Sequence, residues 1–384
     1  MMASLFFWAG GILAGLALAG AVYALAAAIL AGRFMRRTAE RAPSYPPVTI
    51  LKPLHLGEPG LSENLESFFV QDYPGPIQIV FGVHDQTDPA IQIVQALRAR
   101  HPGCDAVLVA DAAEHGTNAK VSNLINMLPS ARHDVLILSD SDIAVRPDWL
   151  RRVADAMAAP GVGLVTCLYT GEVARGEKGL WPVLSAMGTT YDFLPNVVFG
   201  ISLGLAQPCM GSTIALRRAM LEEIGGFSAF ADYLADDYEI GRAVRARGYR
   251  LAIPAMGVGH TAAEASARDL LRHELRWTRT IRTVNPLGHL GSVITFGFPI
   301  ALLSAFLLDF SWLSMTVMGV TVAARLFLKW RIDGIFGTHA GPYWLLPVRD
   351  LLSFAVFVVS QFGETVHWRG SRFSVEPSGA LSQS

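Results

Sequence analysis

Apolar residues gather in blocks at the two ends of the chain, and between them apolar and polar positions alternate in short runs. Residues 1–32 carry no charged side chain, and 5–31 is long enough to cross a bilayer core as a helix. The basic residues Arg33, Arg36, Arg37 and Arg41 follow this block. A cleaved leader carries them in front of a shorter apolar core. The order predicts an uncleaved anchor with the following chain on the cytoplasmic side. From 290 to 324 the only charge is Asp309, which predicts two connected spans near 290–308 and 311–328 with Asp309 in the turn. Residues 351–363 are short for a span. They cross with help from 343–348, or they are re-entrant or interfacial, as Arg369 and Arg372 in a cytoplasmic tail would favour.

Between the blocks, short runs rich in Val, Ile and Leu alternate with amphipathic stretches. Strands are predicted over 48–54, 77–83, 106–110, 135–138 and 163–169, and helices over 61–69, 89–100, 121–128 and 149–158. Buried apolar strands separated by helices predict an α/β domain with a mostly parallel sheet covered on both faces. Residues 180–205 are apolar, aromatic and interrupted by Pro182 and Pro195. They form a buried helical hairpin or a surface in the membrane interface that receives a lipid. A basic amphipathic stretch over 268–282 precedes the second apolar block. The expected organisation is an anchor over 1–32, a cytoplasmic domain over 33–288 with interfacial segments near 180–205 and 268–288, membrane helices over 289–366, and a loose polar tail over 367–384.

Composition agrees with a globular domain attached to membrane segments: 52% hydrophobic and 16% charged residues, with mean hydropathy +0.37. A net charge of −1 argues against a nucleic-acid binder. Cys104, Cys167 and Cys209 lack metal-ligand spacing and read as reduced core residues.

The chemistry concentrates where strands end. The run Asp134-Val-Leu-Ile-Leu-Ser-Asp-Ser-Asp142 carries an apolar strand into Asp140 and Asp142. Such acids are a solvated turn, or hard oxygen ligands for Mg²⁺ or Mn²⁺ at the sheet edge where α/β folds bind ligands. Lys52, Asp85, Asp88 and Asp111 stand at the ends of the other strands. Leu234-Ala-Asp236-Asp237-Tyr238-Glu239 opens a helix, where acids favour the dipole whether or not they react. The Gly-Ser turn in Pro208-Cys-Met-Gly-Ser-Thr lets a sugar approach the backbone or is a plain turn. In His273-Glu-Leu-Arg276-Trp277, Arg and Trp anchor an interfacial helix, or contact a phosphate and a sugar or lipid ring.

Taken together, the order Asp85, Asp140-x-Asp142, Asp236-Asp237 and Arg276-Trp277 ahead of membrane helices resembles family 2 and family 21 glycosyltransferases. Leu51-Lys-Pro-Leu, Gln71-Asp-Tyr-Pro74, Val83-His-Asp-Gln-Thr-Asp-Pro-Ala90 and Asn118-Ala-Lys-Val-Ser-Asn-Leu124 narrow it. These resemble ceramide glucosyltransferases and their bacterial hopanoid-biosynthesis branch, over roughly 45–290. The resemblance implies a GT-A fold, Rossmann-like, with a UDP-sugar donor, a divalent metal (Mg or Mn) and inversion at the anomeric carbon. It implies that Asp85 holds the uridine, Lys120 faces the diphosphate, Asp140 and Asp142 ligate the metal, and Asp237 with Asp236 supplies the general base. Arg276 and Trp277 would close the donor and acceptor site. His273 stands where the family usually has Gln or Arg, so its role is open, and Asp142 is not an acid in every ceramide enzyme.

The expected activity is transfer of one hexose, glucose or N-acetylglucosamine, to a membrane lipid, a hopanoid polyol or ceramide. The expected partners are the UDP-sugar, the lipid acceptor and the bilayer, with no nucleic acid, at a multi-pass position in the inner (plasma) membrane. A processive cellulose- or hyaluronan-type synthase would need a transmembrane channel, and only about three or four membrane segments are available here. A non-catalytic membrane scaffold would have no need of acids at all three motif positions.

Overall fold

A computed structural model describes residues 2–362, together with the backbone of 365–368, 371–375 and 381–383. The chain opens with helix α1 (Met2–Met35) and then runs β1 (Val48–Pro53), α2 (Leu61–Phe69), β2 (Ile77–Val83), α3 (Ala90–Arg100) and β3 (Asp105–Ala110). Next come α4 (Ala119–Met127), β4 (Val135–Leu138), β5 (Ile143–Ala144), α5 (Trp149–Met157), β6 (Val162–Thr166) and β7 (Leu168–Val173). Helices α6 (Leu180–Gly188) and α7 (Leu194–Ser202) precede β8 (Ile214–Arg217), α8 (Arg218–Glu223), α9 (Asp236–Ala246), β9 (Arg250–Ala252) and β10 (Gly257–Ala262). The chain then becomes helical through α10 (Ala267–Val284), α11 (Pro286–Gly291), α12 (Gly297–Leu307), α13 (Trp312–Phe336) and α14 (Leu346–Ser360).

Two compact units result: residues 37–177 with 207–263, and residues 1–36 with 178–206 and 264–384. The first is the α/β unit. Among the described residues its main sheet has seven strands in the order β3-β2-β1-β4-β8-β6-β9. Only β8 runs against its neighbours β4 and β6. β1 and β4 are buried at every position, as strands covered on both faces must be. This is the expected GT-A, Rossmann-like arrangement. Because β2 and β3 lie on one side of β1 and β4 on the other, the strand order reverses between β1 and β4. A crevice opens there at the carboxyl edge. The core behind it includes Leu51, Val80, Leu124, Leu136, Ile214 and Ile240.

The single strand expected over 163–169 is two. β6 belongs to the main sheet and β7 pairs with β10 in a second sheet, order β5-β10-β7. Cys167, fully buried, is the crossing point. Both strands bury apolar side chains, so the hydrophobic pattern runs on unbroken across the change of partner. Cys209 is buried as expected, but Cys104 is exposed.

In the second unit, three helices among the described residues are long and apolar enough to cross a membrane: Ser4–Met35, Trp312–Phe336 and Tyr343–Ser360. The span expected over 290–308 is a broken pair, Pro286–Thr295 and Gly297–Leu307, bent by 64°. Pro299 lacks the N–H that a continuous helix would use, and the chain restarts at Gly297. Asp309 sits in the turn before α13, in a left-handed conformation with Phe310. Residues 180–202 form a helical run interrupted by a π turn, Thr189–Phe193, whose Thr190 and Tyr191 are buried. From Thr365, two residues before the expected loose tail, the described backbone pairs as an antiparallel ladder, Thr365–Trp368, Ser371–Val375 and Leu381–Gln383. The rest of that tail, including Arg369, lies outside the described residues.

Candidate active site

β4 delivers Ser139 to the crevice, where its N–H donates to the Leu51 carbonyl at 3.1 Å. The Asp140-Ser141-Asp142 turn that follows is held on three sides. The Lys52 ammonium, buried at the end of β1, donates to the Asp140 carbonyl. Ser141 Oγ donates to Glu58 Oε2 at 2.6 Å. Thr261 N–H, on β10, donates to the Asp142 carbonyl at 2.8 Å. Burial pushes the Lys52 ammonium down to about 7, against the pull of Asp142 and Asp140. The Asp142 carboxylate meets His260 Nε2 at 3.2 Å. Neither the Lys52 strut nor the His260 contact is visible as a motif. Lys52 stands at a strand end within Leu51-Lys-Pro-Leu, but neither feature names its contact with Asp140, and His260 comes from the second sheet.

Four further groups converge on Asp140. Lys120, in the first turn of α4, places Nζ 2.8 Å from Asp140 Oδ1 and 3.2 Å from Asp236 Oδ2. Asn118 starts that helix by accepting the Val121 N–H, and its Nδ2 donates to the Tyr233 carbonyl at 2.8 Å. It thereby ties α4 to the loop that leads into α9. Asp236 and Asp237 occupy the first turn of α9. Gly211 N–H donates to Asp237 Oδ2 at 2.9 Å. A Cβ on Gly211 would stand 2.8 Å from Asp140 Oδ2, 3.3 Å from Lys120 Nζ and 3.5 Å from Asp237 Oδ2. The bare backbone of Gly211 is therefore one wall of a cradle formed with Asp140, Lys120 and Asp237.

The electrostatics follow from crowding. Burial raises the Asp140 carboxyl, the Lys120 ammonium opposes it, and the Asp142 charge adds to the rise. Burial and the Asp236 charge push Asp237 up to about 6 despite Lys120. A carboxylate with that affinity for a proton is poised for proton transfer near neutral pH. Burial alone would lower Lys120, but Asp140, Asp236 and Asp237 raise it, so it stays charged.

Among the described residues no group of three or more His, Cys, Asp and Glu side chains is arranged to hold an ion. The donor set instead fits a hard dication bound by one or two carboxylates, with substrate phosphates and water completing its shell. Asp140 and Asp142, on the turn after β4, are the carboxylates that such a site would draw on.

Asp85 lies at the same sheet edge, two strands from β4 and so roughly 10 Å away. It is exposed, and Thr87 donates to its Oδ1 through N–H and Oγ1, both at 2.7 Å, which holds its carboxyl below the usual range. Asp88 is structural: its two oxygens accept the N–H groups of Leu56 and Ala90. Arg276 and Trp277 lie on α10, in the helical unit. There Trp277 packs against Phe193 at 6.1 Å and against the His273 ring at 4.5 Å. His273 Nδ1 pairs with the buried Glu264. Burial would raise Glu264, but His273 pulls its carboxyl down to about 2. The open position in the motif is therefore filled by a ring that braces Trp277.

A mostly parallel sheet with acids gathered at its carboxyl edge is the arrangement expected of a GT-A fold. The chain belongs to Glycosyl transferase family 21, whose family model matches residues 12–381. It is similar to ceramide glucosyltransferase 1 of Caenorhabditis elegans, 25% identical over 90% of this chain and 75% of that protein. Ceramide glucosyltransferase 3 of the same organism is 26% identical over 88% of this chain and 74% of its own length. Among solved structures, a mannosyltransferase from Pyrobaculum calidifontis in complex with GDP-Man and Mn²⁺ is 20% identical with a TM-score of 0.49. That match covers 91% of this chain and 99% of the other.

Proposed function

We propose that this glycosyltransferase moves one hexose, glucose or N-acetylglucosamine, from a UDP-sugar to a hydroxyl of a membrane lipid, with inversion. The acceptor is a ceramide or a hopanoid polyol, reached from the bilayer, and the α/β unit faces the cytoplasm at the inner (plasma) membrane. One observation carries the reading: Asp140, Lys120, Asp236, Asp237 and the Gly211 backbone meet in one cradle at the strand-order reversal.

In this reading Asp237 accepts the proton of the attacking lipid hydroxyl as the C1–O bond forms. Its raised proton affinity suits that step, which general bases accelerate by roughly 10²–10⁴-fold. Asp236 keeps Asp237 basic and shares Lys120 with Asp140. Lys120 faces the diphosphate and stabilises charge as the UDP departs. Asp140 and Asp142 would hold Mg²⁺ or Mn²⁺, which when bound neutralises the leaving diphosphate. Asp85 takes the uridine, and Arg276 and Trp277 contact a phosphate and a sugar or lipid ring.

The test is incubation of purified protein in lipid vesicles with UDP-glucose or UDP-N-acetylglucosamine, followed by mass analysis of the lipid fraction. One added hexose per lipid is expected. A polymer would favour a processive synthase, and no sugar on any lipid from either donor would overturn the proposal.

A further inference from the structure

The helical unit buries a chain of five alternating charges that the transfer reaction above does not use. Glu274 on α10 pairs with Arg349 on α14, and Arg349 Nε donates to Asp192 Oδ2 at 3.2 Å. Asp192, in the π turn, accepts Arg325 Nη2 from α13 at 2.6 Å and Ser353 Oγ at 2.6 Å. Arg325 then holds Asp350 through two bonds, at 3.0 and 2.5 Å. Both Arg side chains and Asp350 are almost fully buried. Ionisable groups at such depth in spanning helices are costly and mark function.

The local chain is shaped to admit this network. Pro195 lacks the N–H that would donate to the Tyr191 carbonyl in a regular helix. Arg325 Nη1 occupies that carbonyl instead, at 2.8 Å. Arg349 Nη1 likewise reaches the Leu184 carbonyl at 3.1 Å. Gly188 has no side chain because a Cβ there would stand 2.5 Å from Arg349 Nη2. The π turn re-aims Asp192 between two guanidinium groups, a use typical of such bulges.

We infer that the α10 end of this ion chain, Glu274, Arg349 and Asp192, positions helix α10 and sets where Arg276 and Trp277 stand. Glu274 lies two and three residues before them on the same helix. The planar guanidinium of Arg349 reaches Asp192 through Nε and Glu274 and the Leu184 carbonyl through Nη1, a spread of donors that the single nitrogen of an ammonium lacks. These are positioning residues, and the inference rests on the proposed roles of Arg276 and Trp277.

The experiment compares Glu274→Gln, Arg349→Gln, their double variant, Arg349→Lys, Asp350→Asn and Arg276→Ala in vesicles, with UDP-glucose and UDP-N-acetylglucosamine. UDP release and glycosylated lipid are both measured per folded molecule. Misplacing α10 by a fraction of an ångström is expected to lower transfer about tenfold in Glu274→Gln. The ratio of UDP released to lipid glycosylated is expected to rise, because a misaligned donor is lost to water. The double variant is expected to match the worse single variant, and Arg349→Lys to behave like Arg349→Gln. Asp350→Asn, at the far end of the chain, is expected to lower the unfolding midpoint while keeping transfer within threefold. Should Arg349→Gln fail to fold, Glu274→Gln on the amphipathic α10 still decides the matter. Transfer and coupling ratio within threefold of the parent in Glu274→Gln would overturn the inference alone, if Arg276→Ala is inactive. Undiminished transfer in Arg276→Ala would overturn both the inference and the proposed role of α10.

Discussion

Gly211→Ala is the sharpest perturbation of the acid cradle. The new methyl would stand 2.8 Å from Asp140 Oδ2, whereas ordinary contact begins at 3.4 Å. Asp140 must therefore retreat by about 0.6 Å, carrying its bond to Lys120. A misplacement of about 1 Å costs on the order of 10²-fold in rate, so this shift is worth roughly tenfold to thirtyfold. That corresponds to about 1.4–2 kcal/mol of transition-state stabilisation. The backbone itself does not resist alanine, because Gly211 is not among the positive-φ glycines. Folding stability should change by less than about 1 kcal/mol, since alanine also restricts the unfolded chain. The assay is UDP release and lipid glycosylation in vesicles, paired with thermal unfolding in detergent. Turnover within twofold of the parent in a fully folded variant would show that the cradle does not hold the reacting groups.

Three further outcomes follow from the same geometry. Asp237→Asn should lower turnover by roughly 10²–10⁴-fold and leave UDP binding intact, measured by calorimetry beside the activity assay. Because Asp237 is raised from 3.8 to about 6, the parent should gain activity as pH rises through about 6, and the variant should lose that limb. The same raised value favours the protonated folded state, so this group's stabilisation is present below its unfolded value and lost as pH climbs through about 6. Chelation with EDTA should stop transfer and added Mn²⁺ or Mg²⁺ should restore it, whereas Asp140→Asn should need far more metal for half-maximal UDP release. Glu264→Gln and His273→Ala should each lower the unfolding midpoint at neutral pH, with the double variant no worse than the worse single one. Since Glu264 is depressed from 4.5 to about 2, its contribution should be present above pH 4.5 and fade as pH falls toward 2. Additive losses in that pair would contradict the pairing.

Local pattern alone determined much of this protein. Apolar blocks mark α1 and α13, and alternation places β1, β2 and β4 and the helices between them within a residue or two of where they form. Each of those features depends on neighbours two to four positions apart, which a sequence displays directly. Strand ends and helix starts then name Asp140, Asp142, Asp236 and Asp237 as chemistry-bearing positions. Which of them meet was decided by the tertiary structure. Gly211 separates Asp140 from Asp237 along the chain yet joins them in space, because antiparallel β8 lies beside β4. The Lys52 strut, the His260 contact, the change of sheet at Cys167 and the charge chain from Glu274 to Asp350 are likewise products of strand order and helix packing. Contacts between distant residues leave no periodic trace in the chain, so only the folded arrangement reveals them.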